Sequence, residues 1–312
     1  MTQYWPGGTT SRNPRQANTV AFIGLGIMGS PMAVNLAKAG FDVVGHSRRQ
    51  VSVEPLLAAG GRWADSVAAA VDGAGAVITM LPDSPDVAAV ALGAGGVVES
   101  SAAGTLFVDM SSIRPDVARS VAVAGAERGL RCLDAPVSGG ERGAIDGTLS
   151  IMIGGAPEDV TAATSLFEVL GSTIMHVGPA GAGQVVKAAN QLIVAGNIAL
   201  VAEALTFLQA QDVDLEAAVG VLQGGLAGST VLARKSQSML AGNFAPGFRI
   251  ELHDKDLGIF TASAREAGVV SLLGALLAQL TRAACEQGDG GLDHSALLRV
   301  VQRLSGKQLS GQ

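Results

Sequence analysis

Lys187 and Asn190 stand three residues apart, a separation that places both on one face of a helix and lets them reach a single ligand. Val185, Val186, Ala188 and Ala189 surround the lysine. Desolvation by such neighbours disfavours the ammonium and brings the group towards the strength of a useful proton donor. Spacing alone favours the plainer alternative, a surface lysine that lays its stem on apolar side chains and keeps its charge in water. A second group is Ser138-Gly139-Gly140, entered from Asp134-Ala135-Pro136-Val137. A hydroxyl beside two unshielded glycine N–H groups would make a concavity for a carboxylate, or simply a structural tight turn. Thr230, at the end of Gly225-Leu226-Ala227-Gly228-Ser229-Thr230, and Lys255, within Leu252-His253-Asp254-Lys255-Asp256-Leu257, read by composition as loop and helix surface. His46, His176, His253 and His294 share no ligand spacing, so neither a metal site nor a serine triad is supported.

These groups need a scaffold, and the clearest sign of one lies near the start. The apolar run Val20-Ala21-Phe22-Ile23 breaks into Gly24-Leu25-Gly26-Ile27-Met28-Gly29, a Gly-x-Gly-x-x-Gly fingerprint. Gly24 allows the tight turn out of a buried strand, Gly26 leaves no side chain between the backbone and a pyrophosphate, and Gly29 lets the next helix lie close to the sheet. That helix offers free N–H groups to the anion, with Ile27 and Met28 at its threshold. Gly40 stands where a helix would end, and Phe41 to Gly45 reads as a second strand. Where an acidic residue would bind the ribose 2′-hydroxyl of NAD, this chain has His46-Ser47-Arg48-Arg49. Ser47, Arg48 and Arg49 can instead hold a 2′-phosphate by charge-assisted hydrogen bonds, so NADP is the preferred cofactor and NAD the alternative. A solvated surface pair is the other reading of these arginines, more so for Arg49 than for Arg48.

Further strand patterns follow at Ala76–Met80, Leu106–Met110 and Leu149–Ile153, with helical periodicity between them. This alternation predicts an α/β domain with a doubly wound, mostly parallel sheet. Leu81-Pro82, Ser111-Ser112 and Ser138-Gly139-Gly140 each follow a strand and would face the crevice beyond the strands' carboxyl ends. Strand signals stop near the glycine-rich joint at 178–183, and a helix is expected from Gln184 to about Gln211. The expected organisation is a leader over 1–18, a Rossmann-type dinucleotide-binding domain over 19–180 and an all-helical C-terminal domain over 181–312. The long helix is rich in Ala, Val and Leu on more than one face and needs partners all round, which favours a homodimer or homotetramer.

Composition narrows the functional class. A net charge of −6 argues against a nucleic-acid footprint, and a small anionic substrate would have to be held by local positive groups. Cys132 and Cys285 lack metal or redox spacing and read as thiols in a reducing compartment. The first 18 residues contain no apolar core of a signal peptide, and the alanine-rich runs are broken by polar residues before a span of about 20 could form. A cytoplasmic protein with no membrane partner is the expectation.

In order and spacing, Gly24 to Gly29, Asp134 to Gly140, Gly183 to Asn190 and Lys255-Asp256-Leu257 resemble the β-hydroxyacid dehydrogenase family, from about residue 20 to 300. The resemblance implies that Lys187 is the catalytic lysine assisted by Asn190. It also implies that Ser138, Gly139 and Gly140 hold the substrate carboxylate, that Lys255 lies by cofactor and substrate, and that Leu81, Pro82 and Ser112 contact the dinucleotide. Thr230 is a candidate for the substrate hydroxyl. The blocks 109–113, 144–150, 224–232, 246–250 and 293–297 point within the family to reduction of tartronate semialdehyde, a small carboxylate-bearing aldehyde, to glycerate. Oxidation of 3-hydroxyisobutyrate is the nearest alternative, and a non-catalytic dinucleotide-binding module is the alternative from another class.

Overall fold

The computed structural model describes residues 18–307. The expected leader over 1–18 lies outside the described residues save for Asn18. The first part alternates strands and helices: β1 (Thr19–Ile23), α1 (Gly29–Lys38), β2 (Asp42–His46), α2 (Glu54–Ala58), β3 (Arg62–Trp63), α3 (Val67–Val71), β4 (Ala76–Thr79), α4 (Ser84–Leu92), α5 (Val97–Ser100), β5 (Leu106–Asp109), α6 (Pro115–Glu127), β6 (Arg131–Asp134), β7 (Val137–Ser138), α7 (Gly140–Asp146), β8 (Leu149–Gly154), α8 (Pro157–Leu170) and β9 (Gly171–Gly178). The sheet runs β3-β2-β1-β4-β5-β6-β8-β7, with β9 paired to β8. Strands β3 through β6 are mutually parallel, β8 is antiparallel to β6 and β7, and β9 is parallel to β8. The strand order reverses direction between β1 and β4, the switch point at which such sheets open a crevice for ligand.

Burial on both faces explains why β1 reads as an unbroken apolar run. Val20 and Phe22 join the core that includes Met32 and Leu36 of α1 and Leu166 and Phe167 of α8. Ala21 and Ile23 point the other way, into the layer with Ala70, Val71 and Val121. β3 and β9 were not expected from the sequence, and the strand expected before Ser138 is present as two short pieces, β6 and β7. β3 and β7 are two residues each, β6 begins on Arg131 and ends on Asp134, and β9 is largely exposed, so none presents the apolar run or clean alternation that marks a strand.

Beyond Gly178 the described residues contain helices and one isolated bridge, Arg249 to Asp293. The helices are α9 (Ala182–Ala210), α10 (Leu215–Gly224), α11 (Thr230–Leu240), α12 (Ile250–Glu266), α13 (Leu272–Ala284) and α14 (Leu297–Ser305). The chain parts into two compact units between Lys187 and Ala188, inside α9, whereas the expected joint at residue 180 precedes that helix. α9 is by length and hydropathy a helix that could cross a membrane, contrary to the expectation that no such span forms. Its Ile198, Ala202 and Leu205 pack into the second unit's core with Val219, Leu232 and Leu297, which is how a core helix of a globular domain behaves. Asp293 pins the loops around that core, accepting from Lys235, from the N–H groups of Gly247 and Phe248, and from Ser295.

Candidate active site

The fingerprint forms the turn that its glycines require. Gly24 has φ +101°, and a Cβ there would collide with the Met80 carbonyl at the end of β4. A Cβ at Gly29 would collide with the Gly24 carbonyl, so α1 starts in direct contact with the turn that precedes it. Gly26 is exposed with open space where a Cβ would stand, and no side chain caps the N-terminus of α1. An uncapped helix N-terminus behind a side-chain-free turn fits the pyrophosphate of a dinucleotide. Gly24 N–H donates to the His46 carbonyl at 2.9 Å, so Ser47, Arg48 and Arg49 leave β2 directly beside this turn. Ser47 is half-buried and both arginines are exposed. Arg48, 82 % exposed, stands 3.7 Å from the Asp86 carboxylate of α4, a contact too long and too wet to hold it firmly.

The loops after β4 and β5 are tied together by buried polar groups. One carboxylate oxygen of Asp109 accepts from the Thr79 hydroxyl at 2.7 Å and from the Ser111 hydroxyl at 2.6 Å. The same oxygen also takes the Ser111 N–H at 3.2 Å. Ser111 Oγ in turn accepts from Leu81 N–H at 2.9 Å. Leu81, Pro82 and Ser112 therefore lie on two loops fastened to each other through Ser111. Burial pushes the Asp109 carboxyl up to about 6 against the pull of the Ser111 and Thr79 hydrogen bonds, with neighbouring Asp134 adding to the rise. Asp109 and Asp134 are paired across β5 and β6. Burial raises Asp134 as well, and the N–H groups of Gly181 and Gln184 oppose the rise.

Ser138 ends β7 opposite Ser150 of β8. Gly139 and Gly140 follow at φ +143° and +67°, conformations that glycine adopts without strain, and α7 starts at once. All three residues are half-buried. Glu141 and Ile145 of α7 line an open pocket of about 420 Å³ together with Gly26, Ile27 and Ser30 of the fingerprint and α1, whereas Ser138, Gly139 and Gly140 do not line it. Met28 is half-buried and packs against the sheet's core.

Lys187 closes the first unit and is 7 % exposed, which overturns its reading as a surface lysine with its charge in water. In the second unit, Asn190 Nδ2 donates to Gln191 Oε1 at 2.8 Å, and Gln191 Nε2 donates to Asp256 Oδ2 at 2.6 Å. A carboxylate only accepts, so Asp256 sets the orientation of the Gln191 amide, and Gln191 sets that of Asn190. Lys255 is no simple surface residue either: its Nζ lies 3.1 Å from Asp256 Oδ1, and its side chain is 17 % exposed. Thr230, by contrast, is exposed at the start of α11. His253 and His294, which share no sequence spacing, meet in space with their Nδ1 atoms 3.2 Å apart, and His253 Nε2 lies 3.1 Å from the Gln191 carbonyl. Sequence reasoning gave no site role to Asp109, Gln184 or Gln191; it placed Ser111 at the crevice, and Asp256 beside Thr230 and Lys255 in a set whose composition reads as loop and helix surface. The signal available for the glutamines was a polar residue inside an otherwise apolar helix.

Two family profiles match the chain: the NAD binding domain of 6-phosphogluconate dehydrogenase over residues 19–178, and the NAD-binding domain of NADP-dependent 3-hydroxyisobutyrate dehydrogenase over 181–301. Over 291 residues the chain is 40 % identical to 2-hydroxy-3-oxopropionate reductase of Escherichia coli, covering 93 % of this chain and 99 % of that one. The chain belongs to the β-hydroxyacid dehydrogenase family. It is 38 % identical to the NAD-dependent L-serine dehydrogenase of Pseudomonas aeruginosa, over 91 % of this chain and 97 % of that one. The solved structure of Mycobacterium tuberculosis 3-hydroxyisobutyrate dehydrogenase with L-serine superposes with a TM-score of 0.82 at 31 % identity, covering 91 % of this chain and 99 % of that one. This family member is an oxidoreductase that acts on the CH–OH group of a hydroxyacid with NAD(P).

The buried acid at the end of β5 makes stability depend on pH. In the folded state Asp109 holds its proton to about 6, whereas the unfolded chain releases it near 3.8. The folded state therefore binds more protons across that window, and this group's contribution to stability falls as pH rises through it. At about 1.4 kcal/mol per unit, Asp109→Asn should gain roughly 2–3 kcal/mol relative to the parent between pH 4 and pH 7. Urea midpoints of both proteins at the two pH values check this, and a difference that stays flat with pH would count against the buried proton.

Proposed function

We propose that this dehydrogenase reduces tartronate semialdehyde (2-hydroxy-3-oxopropionate) to glycerate and prefers NADPH to NADH. The observation that carries the reading is the buried Lys187 in a chain 40 % identical to a 2-hydroxy-3-oxopropionate reductase. When bound, the dinucleotide supplies the hydride that reduces the aldehyde carbon. Lys187 stabilises the negative charge that grows on the aldehyde oxygen and delivers the proton to it. Asn190, its amide oriented through Gln191 by Asp256, helps to orient the carbonyl. Ser138 and the N–H groups of Gly139 and Gly140 hold the substrate carboxylate, and their fixed backbone supports a single productive orientation. Thr230 and Lys255 serve the substrate, and Lys255 also the cofactor.

The cofactor preference rests on Ser47, Arg48 and Arg49, a segment with no acidic residue of its own that leaves β2 beside the fingerprint turn. Gly24, Gly26, Ile27, Met28, Leu81, Pro82 and Ser112 complete the dinucleotide contacts. The protein works in the cytoplasm as a homodimer or homotetramer. Ile193, Leu200 and Phe207 support the second copy, because these large apolar residues recur every seven positions along α9 and are exposed. Light scattering of the purified chain tests the assembly.

Lys187→Ala should lose most turnover while binding NADPH nearly as well as the parent, and Lys187→Arg should fail too, because a guanidinium does not release its proton. Stopped-flow turnover and dinucleotide titration separate the two effects, and parallel loss of NADPH affinity would contradict the role. Tartronate semialdehyde should show a higher kcat/KM than methylmalonate semialdehyde, succinate semialdehyde or, in the oxidative direction, L-serine. A site that hydrogen-bonds a hydroxyl discriminates against a methyl by orders of magnitude. Equal turnover of methylmalonate semialdehyde would remove tartronate semialdehyde as the specific substrate. Arg48→Ala should raise the KM for NADPH roughly ten- to hundredfold, the equivalent of one charged hydrogen bond, with little change for NADH. Tighter binding of NADH than NADPH by the parent would overturn the preference.

A further inference from the structure

Gln184, in the first turn of α9, is 1 % exposed and uses its main chain on the end of β6 and its side chain on the loop after β5. Its N–H donates to Asp134 Oδ2 at 2.9 Å, and the Gly181 N–H donates to Asp134 Oδ1 at 2.6 Å. A carboxylate at the end of β6 thus anchors the start of α9, where it also complements the helix dipole. The side chain reaches the loop after β5: Nε2 donates to the Ser111 carbonyl at 2.8 Å, and Oε1 accepts from the Ile113 N–H at 3.0 Å. A primary amide has one donating and one accepting end, and both are spent on the residues flanking Ser112. Ser111 itself is bonded through Oγ to Leu81 N–H, so the same bracket reaches the loop after β4. Lys187 follows one turn after Gln184 on α9.

We propose that Gln184 is a positioning residue for the dinucleotide. It fixes the backbone on either side of Ser112, and through Ser111 that of Leu81, and it ties both loops to the helix turn that carries Lys187. No hydrophobic, acidic or shorter amide side chain can serve both groups at once. The proposal rests on the reading that Leu81 and Ser112 contact the dinucleotide.

The test uses the full chain and NADP⁺ without substrate. Gln184→Met keeps the length and volume and removes both hydrogen bonds, while Gln184→Asn keeps the amide but is one methylene too short to span the two groups. Each neutral hydrogen bond is worth about 0.5–1.5 kcal/mol, so calorimetric titration should show roughly tenfold weaker NADP⁺ binding in both variants. Hydrogen exchange at the Ile113 amide should accelerate while Val108, inside β5, stays protected. In steady state, KM for the dinucleotide should rise and KM for the hydroxyacid should hold. If Gln184→Met fails to fold, Gln184→Asn decides on the same readouts. NADP⁺ binding within twofold of the parent, or unchanged exchange at Ile113, would overturn the proposal. Failure of the dinucleotide reading itself looks different, because then the parent binds neither NADP⁺ nor NAD⁺.

Discussion

Two carboxylates buried side by side at the carboxyl ends of β5 and β6 hold that end of the sheet together. Removing a carboxylate from water is costly unless donors surround it, and the fold supplies them from three directions. Asp109 collects Thr79 from β4 and Ser111 from its own loop, while Asp134 collects the first N–H groups of α9. The consequence is mechanical. Moving the loops after β4 or β5, or the first turn of α9, independently is costly, because it would leave a buried carboxylate or donor unpaired. Functional groups carried on those segments inherit that rigidity.

The dinucleotide end depends on a different constraint, the absence of side chains. Gly24 and Gly29 exist because carbonyl oxygens occupy the space that a Cβ would need, and Gly26 leaves the approach to the helix N-terminus open. Attraction for phosphate there comes from backbone dipoles that no substitution on the surface can remove. The arginines beside it are the opposite case: exposed, weakly paired and adjustable. On the proposed reading, pyrophosphate binding rests on the backbone of this turn, while discrimination between NADP and NAD would fall to side chains that solvent and Asp86 also compete for.

In the second unit the polar residues form a relay whose direction is set at one end. Asp256 can only accept, so the amides of Gln191 and Asn190 are each left with one sensible orientation, and the Lys255 ammonium lies against the same acid. His253 adds a contact to the Gln191 carbonyl, and its ring packs with Phe248 and His294. One carboxylate thereby organises the two side chains, Asn190 and Lys255, that the family resemblance marks for chemistry.

The fingerprint, the alternation of strands and helices, and the change to helices alone after Gly178 were all legible in the sequence, because each depends on near neighbours in the chain: a positive φ, a buried strand, a 3.6-residue period. Lys187, Asn190, Ser138 and Lys255 could be picked out by motif resemblance. Their surroundings could not. Lys187 sits in a run that composition describes equally well as surface, yet it is buried. Asp109 and Asp134 are 25 positions apart in sequence yet adjacent in the sheet, and Gln184 meets Ser111 and Ile113 from more than 70 positions away. Strands β3 and β9 are too short or too polar to announce themselves, as are the two pieces, β6 and β7, of the strand before Ser138, and all of them exist because neighbouring strands complete their hydrogen bonds. Local chemistry determined which segments turn, coil or extend. Only the tertiary structure decided which polar groups lose water together, since desolvation and hydrogen-bond pairing depend on whatever long-range packing brings alongside.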